Sequence, residues 1–312
     1  MAQAAPFIQI KRRPKLRVLG THVTLQEPLR LKAQEDLGID IVFEPGGSAE
    51  VLQKASTRPA SFDIYEQWSN SIDILWQARA IQAIDQSRLG RWGEVNGLCK
   101  VGRLSPGAPL GAGAAPVKML YAQPDGTLGR EATGRLSFLP YVHNVDSFGY
   151  NAQVVGEGKA YETESWSQLL DSRWSGRVGI VNEPTIGLFD LVLACQAKGL
   201  MKFGDIGAIT RTELDELFEI VVRLKRDGHF SAFWTSVPHS VDLMAEGRVV
   251  IESMFSPAVS ALNGAGHDVI YAAPREGYRA WHGVMCLSSA ATEEATGRLS
   301  FLPYVHNVDS FG

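Results

Sequence analysis

Strand, helix and strand follow one another without a break at the start of this chain, and that order leaves few folds open. Lys15–Gly20 (KLRVLG) alternates as a short strand, and Thr21-His22-Val23-Thr24 makes a polar turn. Glu27–Leu37 then carries a helix that Gly38 stops, and Ile39–Phe43 is a second strand. Such a unit implies parallel strands joined by a right-handed crossover, and hence an α/β sheet covered by helices. Phe62-Asp63-Ile64-Tyr65 reads as a third strand. It delivers Glu66-Gln67-Trp68-Ser69-Asn70-Ser71 to the sheet's edge before a helix over Ile72–Arg79. Pro45-Gly46-Gly47-Ser48 opens a helix but lacks the spacing of a phosphate loop.

The same grammar returns at Glu164–Ala194. Ser165 is a candidate N-cap for a short helix bearing Trp166, Leu169 and Leu170, and Val178–Val181 is a buried strand. Asn182-Glu183-Pro184-Thr185 then leads into an apolar helix. Open α/β sheets gather small molecules at the carboxyl ends of their strands, so Glu183 and the Trp68–Ser71 segment are candidate ligand contacts. An ordinary βα turn, with Trp68 in a core, is the competing reading. Further on, Thr212–Lys225 is amphipathic, with Leu214, Leu217, Val221 and Leu224 on one face. Val249–Ile251 is a strand ending near Phe255, and Asp268–Ala272 is another. Pro274-Arg275-Glu276-Gly277 turns toward Ala280-Trp281-His282-Gly283-Val284-Met285.

Between these halves the pattern lapses. Gly102–Gly129 is a loop rich in Pro, Gly and Ala, and Leu136–Tyr150 reads as strand, polar turn and strand, suited to a crossing between domains. The expected organisation is an N-terminal arm over residues 1–15, a first α/β lobe over 16–135, crossover strands over 136–150 and a second α/β lobe over 151–293.

Residues 294–312 fall outside that plan. Glu131–Gly149 and Glu294–Gly312 are the same 19 residues, EATGRLSFLPYVHNVDSFG, and no neighbouring residue extends the match. A diverged repeat keeps a hydrophobic pattern and loses identity. Complete identity points instead to an assembly artefact, to engineering or to an error in the recorded sequence, with a natural C-terminal segment replaced. Only the first copy is expected to pack natively, because one sequence cannot suit two sets of neighbours equally well.

A formal charge of −4 supplies no basic field for nucleic acid, and the cluster Lys11-Arg12-Arg13-Pro14-Lys15 reads as a solvated arm. No apolar run approaches the roughly 18 residues of a membrane span. Met1-Ala2-Gln3-Ala4-Ala5-Pro6 looks like an initiator Met before the small-x-small remnant of a signal-peptidase site, which implies an exported, periplasmic protein whose signal peptide has been removed. Cys99, Cys195 and Cys286 form no CxxC, and His22, His143, His239, His267 and His282 form no HxH or HExxH. No metal site, catalytic residue or cofactor is implied.

The collinear order of FDIYEQWSNS, LPYVHNVDSFGYNAQVV, ESWSQLLDSRWSGRVGIVNEP, AEGRVVIESMFSPAVSA and APREGYRAWHGVMCLSS resembles the solute-binding components of bacterial ABC importers, in the spermidine/putrescine-binding branch. The resemblance covers Leu16–Ser289. It implies a two-lobed periplasmic-binding-protein fold of type II, with a ligand cleft between the lobes, a membrane permease as partner, a monomeric state and no enzymatic activity. Its ligand contacts would fall on Thr21, His22, Trp68, Ser69, Asn70, Ser71, Glu183, Phe255 and Trp281. Aromatic faces beside a carboxylate suit a protonated amine. The family's carboxylate two residues after the second cleft tryptophan is Gly283 here, and its aromatics after the first strand are Thr21 and Thr24. With one carboxylate in place of two, the implied ligand is a compact monocation or zwitterion rather than spermidine. Two other readings stand beside this one. An enzyme on the same fold would pair Cys99 or Cys286 with a histidine. A ferric-ion binder would pair tyrosines, and Tyr65, Tyr141 and Tyr278 are not adjacent in sequence.

Overall fold

Parallel strands open the chain, as the strand–helix–strand order requires. The computed structural model describes residues 14–103, 105–113 and 116–292. The arm up to residue 13, and the second copy of the 19-residue segment at 294–312, lie outside the described residues. Strand β1 (Lys15–Thr21) pairs in parallel with β2 (Asp40–Gly46) from Lys15↔Asp40 to Thr21↔Gly46. On its other side it pairs in parallel with β3 (Ile64–Trp68), through Val18↔Ile64 and Leu19↔Tyr65. The helix Glu27–Leu37 that joins β1 to β2 begins with Pro28 in its first turn. It ends on Gly38 at φ +63°, a left-handed conformation that a side chain would resist.

The chain divides into two compact units: the second is His143–Trp281 together with residues 111–113, and the first is built from chain on both sides of it. In the first unit, β4 (Ile81–Gln82) extends the sheet. A smaller antiparallel sheet runs β5-β8-β6-β7, with β5 at Ile84–Asp85, β6 at Tyr121–Ala122, β7 at Leu128–Gly129 and β8 at Arg135–Leu136. Phe62, Ile64, Tyr65, Leu136, Phe138 and Val284 are among its fully buried core side chains.

Strand β9 (Leu139–Asn151) carries the chain into the second unit. Where a strand, turn and strand were expected, there is one strand of 13 residues. Its polar middle, His143-Asn144-Val145, is its more exposed part and lies between buried ends. Polarity there marks exposure and not a turn. Both β8 and β9 belong to the first copy of the 19-residue segment, and its Phe138 and Phe148 are fully buried.

The second unit builds its sheet in the order β11-β10-β12-β9, with β10 at Val178–Val181, β11 at Phe230–Trp234 and β12 at Ile251–Met254. Strand β13 (Val269–Tyr271) pairs with β9 as well. Strands β10, β11 and β12 are parallel, while β12 runs antiparallel to β9. The amphipathic helix spans Arg211–Arg226. Its N-cap is Thr210, locked to Glu213 in a capping box, rather than Thr212. Ser165 caps the short turn Trp166–Leu170 by the same device.

The last strand, β14 (Arg279–Ser288), starts in the second unit and returns to the first from His282 onward. It pairs antiparallel with β3 from Gly283↔Trp68 to Leu287↔Ile64. Residues 282–292 therefore belong to the first unit and not to the second lobe expected from sequence. Local pattern marks this segment as a strand and is silent about its partner, which lies more than two hundred residues earlier. Among the described residues no helix is long and apolar enough to cross a membrane.

Candidate ligand-binding site

Because β1 and β3 are adjacent and parallel, their carboxyl ends place Thr21, His22 and Trp68–Ser71 at one edge of the first unit's sheet. His22 is exposed, and its N–H donates to the Gly46 carbonyl at 3.4 Å. Trp68 and Ser69 are half-buried, while Asn70 is exposed. Ser71 is buried, and its hydroxyl donates to the Trp68 carbonyl at 2.7 Å, closing the turn. Thr21 is buried, with its hydroxyl 3.0 Å from that of Thr24.

Beneath this edge lies an acid that the sequence reading passed over. Glu66 is buried, with Oε2 accepting the Thr21 N–H at 3.2 Å and Oε1 accepting the Tyr141 hydroxyl. Burial raises its pKa above the usual carboxylate range, against the pull of these hydrogen bonds and of one from Thr24. A Cβ on Gly20 would stand 2.5 Å from Glu66 Oε2, so a glycine is needed there to admit the acid. Glu66 thus ties the loop after β1 to β3 and β9.

Gly283 has a comparable reason. A Cβ there would lie 2.4 Å from Val142 Cγ1 and 2.9 Å from Tyr141 Cζ. No side chain fits without displacing the strand beside it, which accounts physically for the absent carboxylate. Gly283→Ala is expected to destabilise the first unit by about 1–3 kcal/mol, the usual cost of overpacking. Urea unfolding should show a lower midpoint at unchanged slope, whereas an unchanged midpoint would mean that the site is open.

In the second unit, β10 and β12 are adjacent and parallel, which brings Glu183 and Phe255 to neighbouring strand ends. Glu183 is half-buried and accepts the Thr185 hydroxyl at 2.6 Å. Its carbonyl receives the N–H groups of Ile186 and Gly187, starting the helix Gly187–Lys198. Phe255 meets Trp234 edge-on, with ring centroids 5.2 Å apart, so part of its ring belongs to the core.

Trp281 is half-buried on β14, two residues after Arg279. Asp146 on β9 pairs with Arg279 Nη1 at 3.2 Å. Arg279 Nε donates to Asp190 Oδ1 at 2.6 Å. All three ionisable groups are buried. Burial pushes Asp190 up to about 6 although Arg279 pulls it back, and burial raises Asp146 for the same reason. Asp190 had one visible signal, a lone acid inside the apolar run GLFDLVLA. Neither Asp146 nor Arg279 had any.

The pairs required by the other readings can also be located. Cys99 Sγ lies 3.9 Å from His282 Nδ1, but both residues are buried, and burial lifts the thiol to about 11. At neutral pH that leaves almost no thiolate, the form that attacks. Tyr278 does have a tyrosine neighbour, Tyr161, with hydroxyls 3.2 Å apart and rings edge-on at 6.1 Å.

The family model for bacterial extracellular solute-binding proteins matches residues 31–310. No curated protein sequence matches the chain. Among solved structures, the TpPotD lipoprotein of Treponema pallidum is similar, with a TM-score of 0.68 and 14% identity over 93% of this chain and 80% of that one. The spermidine/putrescine ABC transporter substrate-binding protein PotD of Streptococcus pneumoniae gives 0.61 and 15%, over 93% and 77%. A structure described as a GABA receptor gives 0.60 and 12%, over 94% and 77%. At such identities the likeness is one of fold, that of the two-lobed α/β binding proteins.

Proposed function

Because this chain belongs to the bacterial extracellular solute-binding proteins, we propose that it captures a compact amine, monocationic or zwitterionic, and delivers it to the permease of an ABC importer. It acts as a monomer in the periplasm. The observation that carries the ligand class is the closed space at Gly283. A diamine or polyamine wants an anion for each end, and that position admits none. Glu66 is no substitute, since it is buried and already bonded to Thr21 and Tyr141. Glu183 is then the carboxylate for an ammonium group. Trp68 and Trp281 stack on the ligand, Phe255 adds an apolar wall, and His22, Ser69 and Asn70 orient its polar atoms, while Thr21 and Ser71, buried with their hydroxyls engaged, hold the loops that carry them. A structural neighbour described as a GABA receptor supports a zwitterion, because 4-aminobutyrate joins one ammonium to one carboxylate.

Calorimetry with 4-aminobutyrate, putrescine and spermidine tests the assignment, and the first is expected to bind most tightly. Trp281→Ala should weaken that binding by roughly 30-fold, the worth of a desolvated cation–π contact of about 2 kcal/mol. Preference for spermidine would overturn the ligand class. Undiminished affinity in the variant would remove Trp281 from the site.

A further inference from the structure

Tyr161 stands in a left-handed backbone conformation, φ +61°, that a side chain resists. Its N–H donates to the Ala273 carbonyl at 2.7 Å, which holds it there. The residues that follow are laced to 273–277 of the same unit. The Ala273 N–H donates to Glu164 Oε2 at 2.6 Å, and the Arg275 N–H donates to the Glu164 carbonyl at 2.9 Å. Ser165 Oγ donates to Glu276 Oε1 at 2.7 Å, and the Trp166 indole N–H donates to the Gly277 carbonyl at 2.9 Å. Beside this seam two phenols meet: the hydroxyl oxygens of Tyr161 and Tyr278 are 3.2 Å apart, with rings edge-on and centroids at 6.1 Å. Tyr161 is 63% exposed, while Tyr278 is half-buried. An exposed ring adds little to a core, so packing does not explain why a strained backbone sets it there. Nor is the pair made for a metal, which would need phenolates and further donors. Burial raises the Tyr278 pKa to about 12, and its bond to Tyr161 adds to the rise. Among the described residues no three His, Cys, Asp or Glu gather to hold an ion.

We propose that Tyr161 and Tyr278 form an oxidative cross-linking site, joined through their rings as dityrosine by a one-electron oxidant fed by peroxide, such as a haem peroxidase. Each phenol gives one electron to the oxidant and one proton to water, leaving a phenoxyl radical. The two radicals couple at ring carbons ortho to oxygen. One C–C bond forms, and the hydrogen on each coupled carbon moves to the oxygen of its own ring, which restores both phenols. Two hydrogen atoms leave in all, and one hydrogen peroxide is reduced to two waters. The ortho carbons flank the carbons that bear the hydroxyls, and the 3.2 Å contact already brings those ends of the rings together. Exposure lets the oxidant reach Tyr161, and a partner held in place outcompetes a second molecule in solution. Because the seam fixes both segments, the bond can form without unfolding. It fastens residues 161–166 to the stretch that enters β14. The inference does not depend on which ligand the protein captures.

Dilute full-length protein treated with a haem peroxidase and limiting hydrogen peroxide tests this, with free tyrosine in a parallel reaction to show that the oxidant is active. Dityrosine fluorescence should appear while the chain stays a single chain under denaturing conditions. Its intact mass should fall by two hydrogen atoms. A proteolytic map should show the peptide of Tyr161 joined to that of Tyr278, a readout of the wild type that needs no variant to fold. Tyr161→Phe and Tyr278→Phe should each abolish this link. Unfolding the protein in urea before oxidation should abolish it as well, since the fold selects the partner. Tyr161 joined to another tyrosine in place of Tyr278, links only between molecules, or no link while free tyrosine couples would each overturn the inference. So would an equal yield of the same link from the unfolded chain.

Discussion

Glu252→Gln is expected to stabilise the protein by about 3 kcal/mol at pH 7 and to do almost nothing near pH 4. Glu252 sits in β12, fully buried, with Oε1 accepting the Ser240 hydroxyl at 3.1 Å and Oε2 without a hydrogen-bond partner. Burial pushes its pKa up from 4.5 to about 8, and the Ser240 hydrogen bond recovers only part of that shift. Between these two values the unfolded chain has released the proton while the folded chain still holds it. Stability therefore falls as pH rises through this window and is level on either side. From 4.5 to pH 7, at about 1.4 kcal/mol per pH unit, the penalty reaches about 3 kcal/mol. Glutamine keeps the shape and never ionises. Thermal unfolding at both pH values checks the claim, with an increase on the order of 10 °C expected at pH 7. An equal gain at pH 4 would mean that the effect is packing and not ionisation.

Arg279→Met carries an effect of opposite sign. Removing the guanidinium leaves Asp146 and Asp190 buried with no counter-charge, and Asp190 Oδ2 already lacks a hydrogen-bond partner. Breaking a buried ion pair from one side costs about 3–5 kcal/mol. Without the arginine both acids should titrate higher still, so the deficit should be largest at neutral pH and shrink toward pH 4. Adding Asp146→Asn and Asp190→Asn should recover part of the loss at pH 7. Denaturant midpoints for the single and triple variants decide the matter, and a deficit independent of pH would assign the cost to lost packing.

The elements that could be read from sequence are those whose signals are local. Pro28 and Gly38 bracket the first helix, which has the expected limits, and Val178–Val181 is a strand because four apolar residues stand between polar turns. Local signals also misled. Thr210 and Thr212 are both acceptable caps, and only the Glu213 carboxylate, reaching back to Thr210, separates them. The polar centre of β9 imitates a turn because a strand that leaves one unit for another is exposed partway. Candidate contacts such as Trp68 and Glu183 could be picked out because they follow strands. The acids that organise their surroundings could not, since what distinguishes them is their partner. Glu66 meets Tyr141 from 75 residues away, and Asp190 meets Arg279 from 89.

The return of β14 to the first unit has a consequence for the order in which the protein can form on the ribosome. The β3 edge stays open until Gly283–Leu287 has been synthesised, so the unit that emerges first is the one completed last. Gln82 waits 206 residues for its bond to the Ser288 carbonyl. Closing a flexible loop of that length costs roughly 5 kcal/mol in chain entropy. The second unit lowers that cost by folding in the interval, since the Arg279–Asp146 pair already joins the segments at which the chain enters and leaves it. The same ion pair thus serves as the clasp that delivers the closing strand, and a nascent chain that lacks it should linger with an unpaired edge exposed to aggregation.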